Sequence, residues 1–397
     1  MITLKDIQDA RINIASFIHK TPLIHSTSLS SLSGAEVYLK LENLQKTGSF
    51  KVRGAFNKLS RVSGDRVIAV SMGNHAQAVA FAAQKLGKRS RIVMPLTAPI
   101  VKEEATKGYG AEVNLVGDRF SEALEYALTQ KEYTFIHPFD DDLVIAGQGT
   151  IGLEILEDLN DVDALFVPVG GGGLIAGIAA AVKSFSPKTE VVGVQAESAP
   201  AAALSFTDKK IMERVPLPTI ADGIAINRPG EKTLELILRH VDAIALTTED
   251  RIAMSVLLLL ERTKLVVEGA GAVTLAAFME MKERFKDKRV VLVLSGGNID
   301  FTVIDRIIRK GLGTSGRIGV LEVTVDDIAG SLHKLTGIIA AHRANVLDII
   351  HDRLAGGLPY GKAKVIVTVE IRGKQHFDRV FTDLAAQGYE VRERTGI

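Results

Sequence analysis

The ten residues KTGSFKVRGA, Lys46–Ala55, set a lysine behind a Thr-Gly-Ser turn and a phenylalanine, at the start of a segment, KVRGAFNKL, that reads as a helix. A lysine on a solvated helix face usually stands among other charged or long polar side chains. Lys51 instead has glycines and small polar residues around it. It is either a surface charge or a reacting amine, and the rest of the chain has to decide.

Outward from this stretch a rhythm appears. RVIAV from Arg66, helical AQAVAFAAQKLG with Gly87 at its C-terminal end, RIVMP, TAPIVKEEATKGYG, AEVNLVG, DRFSEALEYALTQ and YTFIHPF alternate short β-branched runs with helical ones. A second series follows in ALFVPV, GGGGLIAGIAAAV, EVVGVQA, RVVLVLS and DFTVIDRIIRK. This alternation predicts an α/β protein of two lobes. Parallel sheets are covered by helices on both faces, and a ligand crevice lies at the carboxyl ends of the strands. Thr3 and Asp6 form a capping box before an amphipathic helix that stops ahead of Thr21-Pro22. GLGTSG, Gly311–Gly316, reads as a linker. Beyond it, GVLEVTV, IAGSLHKLTGIIAAH, NVLDIIHDR, KAKVIVTVEI, QHFDRVFTDLAAQG and YEVRER follow the element order of an α+β ferredoxin-like fold.

At 397 residues with 46% hydrophobic composition, the chain suits two or three domains with sizeable cores. A formal net charge of +1 with evenly mixed signs offers no field for nucleic acid or an acidic membrane. The absence of Cys excludes disulfides, thiolate catalysis and Cys-ligated metals. Ala164–Val182 is uncharged and nearly as long as the ~20 residues that span a bilayer. Pro168 and four consecutive glycines make it a strand, a turn and a helix instead. With no signal-peptide core in MITLKDIQDARIN, a soluble cytoplasmic protein is expected.

Three loops follow apolar strands. Ser71-Met72-Gly73-Asn74-His75 opens a helix whose amides suit a substrate carboxylate, or it is simply an Asn-capped helix start. Gly170-Gly171-Gly172-Gly173-Leu174 lacks side chains that would keep backbone N–H groups away from a phosphate, and four glycines are entropically costly for a mere turn. The same run, Gly171-x-Gly173-x-x-Ala176, fits a dinucleotide fingerprint, with Glu197 ending the next strand. That keeps an NAD-dependent oxidoreductase open. Ser295-Gly296-Gly297-Asn298 alone is no more than a strand-ending turn.

Lys51 separates these readings. An amine at a helix start feels the positive end of the helix dipole, which disfavours its ammonium form, and shielding from water pushes the same way. More free amine is left to attack a carbonyl. A phosphate cradle with a nucleophilic lysine favours covalently held pyridoxal phosphate over NAD.

Ser49-Phe50-Lys51, Gly73-Asn74-His75-Ala76-Gln77, Gly170–Gly173 and Ser295-Gly296-Gly297-Asn298 occur in an order and approximate spacing that resembles the tryptophan-synthase-β-like, fold type II pyridoxal-phosphate enzymes. The likeness is closest to the threonine dehydratases (threonine ammonia-lyases) and covers about residues 1–313, with the smaller lobe at about 40–147. The resemblance implies that Lys51 carries the cofactor and acts in catalysis, and that Phe50 packs near the ring. It implies that Asn74 contacts the ring hydroxyl, that the glycines and Leu174 take the phosphate, and that Ser295 meets the pyridine nitrogen. Ser71–His75 would bind the substrate carboxylate.

A serine hydroxyl cannot keep a pyridine nitrogen protonated, so the ring is a weaker electron sink. That favours prompt β-elimination of L-threonine to 2-oxobutanoate and ammonia, with L-serine to pyruvate as a secondary activity. A pocket discriminates a methylene by only ~1–3 kcal/mol, so threonine, serine and 3-hydroxyaspartate stay open as substrates. Serine racemases share the lobes but carry a serine where this chain has Met72. Racemases and some catabolic dehydratases also bind a divalent cation through two carboxylates; the resemblance sets Glu197 at the first place and Ala203 at the second, which leaves backbone carbonyls to hold a looser cation.

Residues 314–397 resemble an ACT domain. Asp327, Gly330 and Leu332 fall where its first strand meets its first helix, and Asn345 opens the second strand. The resemblance implies an amino-acid effector there and a homo-oligomer, with isoleucine or valine the candidates if the enzyme feeds branched-chain synthesis.

Overall fold

The computed structural model describes residues 2–394 and divides into two units, Met1–Ile299 and Asp300–Ile397. The first unit holds two sheets. Its larger sheet runs, in spatial order, Leu23–His25, Glu36–Lys40, Arg289–Val293, Ala164–Pro168, Glu190–Ala196 and Ala243–Thr247. Only the first of these strands is antiparallel to its neighbour. The smaller sheet is all parallel, in the order Glu112–Leu115, Arg89–Met94, Arg66–Val70 and Thr134–Phe135.

Both sheets are covered on both faces, as their unbroken apolar runs require. Every residue of Ala164–Pro168 is buried. In the smaller sheet successive side chains enter two different cores. Val67, Ala69, Ile92 and Met94 pack on one side with Ala76, Val79 and Ala83, while Ile68, Val70 and Val93 pack on the other with Ala123 and Ala127. Burying each such Val or Ile contributes roughly 1.5–3 kcal/mol.

Strand order then fixes where a ligand can sit. In the larger sheet the chain passes from Ala164–Pro168 outward through two further strands on one side, and returns to Arg289–Val293 on the other. In the smaller sheet it runs from Arg66–Val70 outward on one side and returns to Thr134–Phe135 on the other. Each is a topological switch point, the place where connections diverge and leave a crevice beyond the carboxyl ends. The loops there are Gly170–Gly173 beside Ser295–Asn298, and Ser71–Asn74 beside His137–Phe139.

Ala164–Val182 is the expected strand, turn and helix, the helix spanning Gly173–Phe185. Among the described residues no helix is long and apolar enough to cross a membrane. The Thr3–Asp6 capping box is present at the helix Leu4–Ile14.

The second unit is a four-stranded antiparallel sheet in the order Asn345–Asp352, Lys362–Glu370, Ile318–Asp326 and Glu390–Glu393. Val365, Val367 and Val369 alternate inward against Leu335, Phe377 and Leu384 of its helices. The run Gly311–Gly316 is not the linker its glycines suggested. It is the end of the helix Phe301–Thr314. Gly316, at φ +66, donates to Gly313 O, and Arg317 N–H reaches back 2.9 Å to Leu312 O. These two bonds are a Schellman termination, which requires a left-handed residue just past the helix. Glycine composition alone does not distinguish that from a flexible tether.

Candidate active site

Lys51 begins the helix Lys51–Leu59. The helix is held from below by Arg53, whose fully buried guanidinium meets Glu42 at 2.8 Å and Glu154 at 2.6 Å. Gly54 lies so close to the helix Asp142–Asp158 that a Cβ would come within 2.5 Å of Gln148 Nε2 and 2.9 Å of Val144 O. Lys51 Nζ donates to Pro138 O at 3.0 Å and stands 5.2 Å from the centre of the Phe50 ring. Burial lowers its pKa to about 8, against the opposing pull of the Glu268 charge. On the order of a tenth of the amine is then free at neutral pH, far more than for an unperturbed lysine, which is what a lysine nucleophile needs.

The turn ahead of Lys51 is stitched to Ser295–Asn298. Phe50 N–H donates to Ser295 O at 3.1 Å, Gly297 N–H to Gly48 O at 2.9 Å, and Ser49 forms a β-bridge with Gly296. The hydroxyls of Thr47 and Ser49 are buried without a protein partner. Ser295 itself is buried, at 2% exposure.

Ser71–His75 leads into the helix Asn74–Lys85, with Gly73 as N-cap. Asn74 is not a cap: its Nδ2 donates to Glu268 Oε1 at 2.8 Å, and its Oδ1 accepts from Asn298 Nδ2 at 2.8 Å. The first-turn amides of this helix have no intrahelical acceptors, as at any helix start. Ser71 Oγ accepts from Gly73 N–H at 3.1 Å. His75 is a different case. Burial and the nearby Lys51 charge hold its pKa at about 3, and its neutral ring donates through Nε2 to Ile136 O at 3.0 Å. Only its backbone is available to a ligand. Met72 packs its partly buried side chain against the core of the smaller lobe.

The four glycines are each constrained by a neighbour. Gly172 has φ +96, and a Cβ there would strike Thr233 at 2.9 Å. A Cβ on Gly171 would lie 2.4 Å from the Phe139 ring, and one on Gly173 would meet Phe139 at 2.9 Å. Thr233 Oγ1 donates to Gly171 O at 2.7 Å. Asp140 accepts from the N–H groups of Glu231 and Thr233, at 3.2 and 3.1 Å, and so caps the helix Glu231–His240. The first helical bond runs from Ala176 N–H to Gly172 O, so the amides of Gly173, Leu174 and Ile175 have no partner within the helix. Leu174 buries its side chain in the core, leaving only its amide for an anion.

A chain of contacts therefore joins all four motifs. Lys46–Lys51 and Asn74 meet Ser295–Asn298 directly, and Lys51 reaches the glycines through Pro138 and Phe139. Three participants were not anticipated: Phe139, Asp140 and Glu268. The acid in VVEGAGAV, alone in an apolar run at a helix start, was the available signal for the last. Burial and nearby Asp222 raise the Glu268 pKa to about 7, while the hydrogen bond from Asn74 and the Asn298 backbone N–H work against that. Glu197 is exposed at its strand end, and Ala203 lies inside the helix Ala201–Asp208 with its N–H given to Gln195 Oε1 at 2.8 Å. No cluster of three or more His, Asp or Glu with the geometry to hold a metal occurs among the described residues.

An amine of lowered pKa, unpartnered hydroxyls beside it and side-chain-free amides at a helix start fit pyridoxal phosphate. The comparisons agree. Residues 14–296 match the family described as pyridoxal-phosphate dependent enzyme. An L-threonine ammonia-lyase of Thermotoga maritima is 49% identical over 99% of this chain and 99% of its own. Among solved structures, the processed form of threonine deaminase isoform 2 from Solanum lycopersicum matches with TM-score 0.74 and 36% identity, covering 77% of this chain and 86% of that one. A serine racemase from Dictyostelium discoideum matches with TM-score 0.71 and 38% identity, over 75% of this chain and 99% of that one. With an amine, a cradle and a family match that all converge on one cofactor, this chain belongs to the pyridoxal-phosphate dependent enzymes.

Proposed function

We propose that the protein is a threonine ammonia-lyase, converting L-threonine to 2-oxobutanoate and ammonia, with L-serine to pyruvate as a lesser activity. The observation that carries this is the Lys51 amine, lowered in pKa and, among the described residues, without a carboxylate in salt-bridge reach, in a chain 49% identical to an L-threonine ammonia-lyase along nearly its whole length. The cofactor supplies an electron sink for the Cα of the bound amino acid.

This chain's residues do the rest. Lys51 would hold the cofactor covalently, and its amine, when free, takes the Cα proton of the bound amino acid. The start of the Asn74–Lys85 helix and Ser71 hold the substrate carboxylate. Amides of Gly170–Leu174 would receive the cofactor's phosphate, Phe50 would flank its ring, and Asn74 and Ser295 would meet the ring oxygen and the pyridine nitrogen. The β-hydroxyl departs with a proton as water, and the released enamine takes up water to give the 2-oxo acid and ammonia.

Racemisation is slight in this reading. Met72 has no acid or base function, and its partly buried side chain packs against the apolar core. The 3-hydroxyaspartate and NAD-dependent alternatives have no observation of their own in their favour. Incubation with L-threonine and L-serine, assaying 2-oxo acids and the chirality of the remaining serine, tests the reading. D-serine appearing as fast as pyruvate would overturn it.

Residues 314–397 are proposed to bind an amino-acid effector. Supporting this, Gly330 takes φ +91 at the start of the helix Ser331–Ala341, with open space where a Cβ would be. Asp327, just past the Asp326–Lys362 pair and tied to Arg353, stands with Gly330 at one end of the sheet, while Leu332 leans on the unit's core. Asn345, paired with Glu370, lies at the opposite end of the sheet, so the expected grouping of Asn345 with Asp327 and Gly330 does not form within one chain. A cytoplasmic homo-oligomer completes the proposal.

A further inference from the structure

Asn74 has four hydrogen-bonding positions on its amide, two donors and two acceptor lone pairs. One N–H is given to Glu268 Oε1 at 2.8 Å, and Oδ1 takes the N–H of Asn298 at 2.8 Å. Asn298 Nδ2 also donates to Thr47 O at 2.8 Å, and its backbone N–H supports the Glu268 carboxylate. Glu268 is 5% exposed and its own backbone N–H is anchored on Gly296 O at 3.0 Å. Asn298 Nδ2, held on Thr47 O, can only donate, so the amide of Asn74 cannot turn over without facing Nδ2 toward that donor and, when Glu268 is ionised, Oδ1 toward an acceptor. Both contacts would become repulsive.

We infer that Glu268 is a positioning residue for the cofactor. Acting through Asn74, it ties the smaller lobe's helix start to the Ser295–Asn298 loop and leaves the second Nδ2–H of Asn74 as its one uncommitted donor. The amide then meets the cofactor's ring oxygen as a donor and never as an acceptor, favouring the oxygen in its deprotonated form. This rests on reading the Lys51 site as the cofactor site, and not on which hydroxyamino acid is the substrate.

Glu268→Gln preserves shape but supplies an N–H, so one of the two contacts that orient the Asn74 amide no longer discriminates and only Asn298 still holds it. The test is a double-mutant cycle on the full-length chain, with pyridoxal phosphate titrated into cofactor-free protein and followed by visible absorbance. Glu268→Gln should weaken binding by about tenfold, the scale of one charge-assisted hydrogen bond, and shift the absorbance band. It should do neither in an Asn74→Ala background, because the effect travels through Asn74. Thermal melting of the cofactor-free Glu268→Gln protein should match or exceed wild type, since a buried charge is lost, which separates positioning from simple structural support. Equal losses in both backgrounds, or unchanged binding in the single variant, would overturn the inference. A wild-type chain with this cycle but no threonine turnover would sink the lyase assignment alone. Failure of wild type to bind pyridoxal phosphate would sink both.

Discussion

Lys40 and Lys51 lie close in sequence, the first fully and the second partly buried, and face opposite fates. The Lys40 side chain is 0% exposed, and its ammonium meets Glu154 at 2.6 Å and Thr21 O at 2.7 Å. With Arg53, Glu42 and Glu154 it completes a buried set of two cations and two carboxylates. Lys51 has a backbone carbonyl for a partner and, among the described residues, no carboxylate within salt-bridge reach. The carboxylate whose charge it feels, Glu268, is committed to Asn74 and Asn298. Burial alone does not make a lysine reactive. Burial without an ion-pair partner does, because desolvation then falls on the charged form with little to offset it.

Substitution separates the two amines most sharply. Lys51→Ala should cut 2-oxobutanoate formation by at least about 10²–10⁴-fold, the range for losing a general base, while the protein still folds cooperatively in a urea melt. Lys40→Ala should do the reverse. It leaves a buried carboxylate undercompensated, at a cost of about 3–5 kcal/mol in unfolding free energy, with turnover per folded molecule retained. Equal losses of stability in the two variants would erase the distinction.

A smaller effect appears in the pH dependence of the cofactor-free protein. Burial raises the Glu268 carboxyl from 4.5 to about 7, so the folded state favours its neutral form. The stability tied to it is full below pH 4.5 and is lost as pH rises to about 7. Lys51, lowered from 10.5 to about 8, works in the other direction. Its contribution is full above pH 10.5 and is lost as pH falls to about 8. Subtracting the urea midpoints of Glu268→Gln from wild type should isolate the acid limb, and those of Lys51→Met the alkaline limb. A flat difference across either interval would contradict the assignment of that group.

The same contrast explains what was legible in the chain. Each site loop follows a short β-branched run, so its place at the carboxyl end of a parallel strand could be read locally, as with Ser71–His75, Gly170–Gly173 and Ser295–Asn298. Lys51 was legible because its neighbours are small and it opens a helix. The side chains that determine its chemistry were not. Glu154 and Arg53 are far apart in sequence, as are Asn74 and Glu268, and no period or spacing pairs them before the sheets have formed. Phe139 over Gly171 belongs to the same class of long-range contact. Gly311–Gly316 failed for the opposite reason: a helix end and a tether share a composition, and only the bonds to Leu312 O and Gly313 O tell them apart.

The most direct measurement is reduction of the pyridoxal-phosphate-loaded protein with borohydride, followed by peptide mapping. The pyridoxyl group should be recovered on the peptide containing Lys51 and be absent from Lys40 and Lys46 alike. Recovery of the label on another lysine, or a protein that takes up no label, would contradict the assignment of Lys51 as the reacting amine.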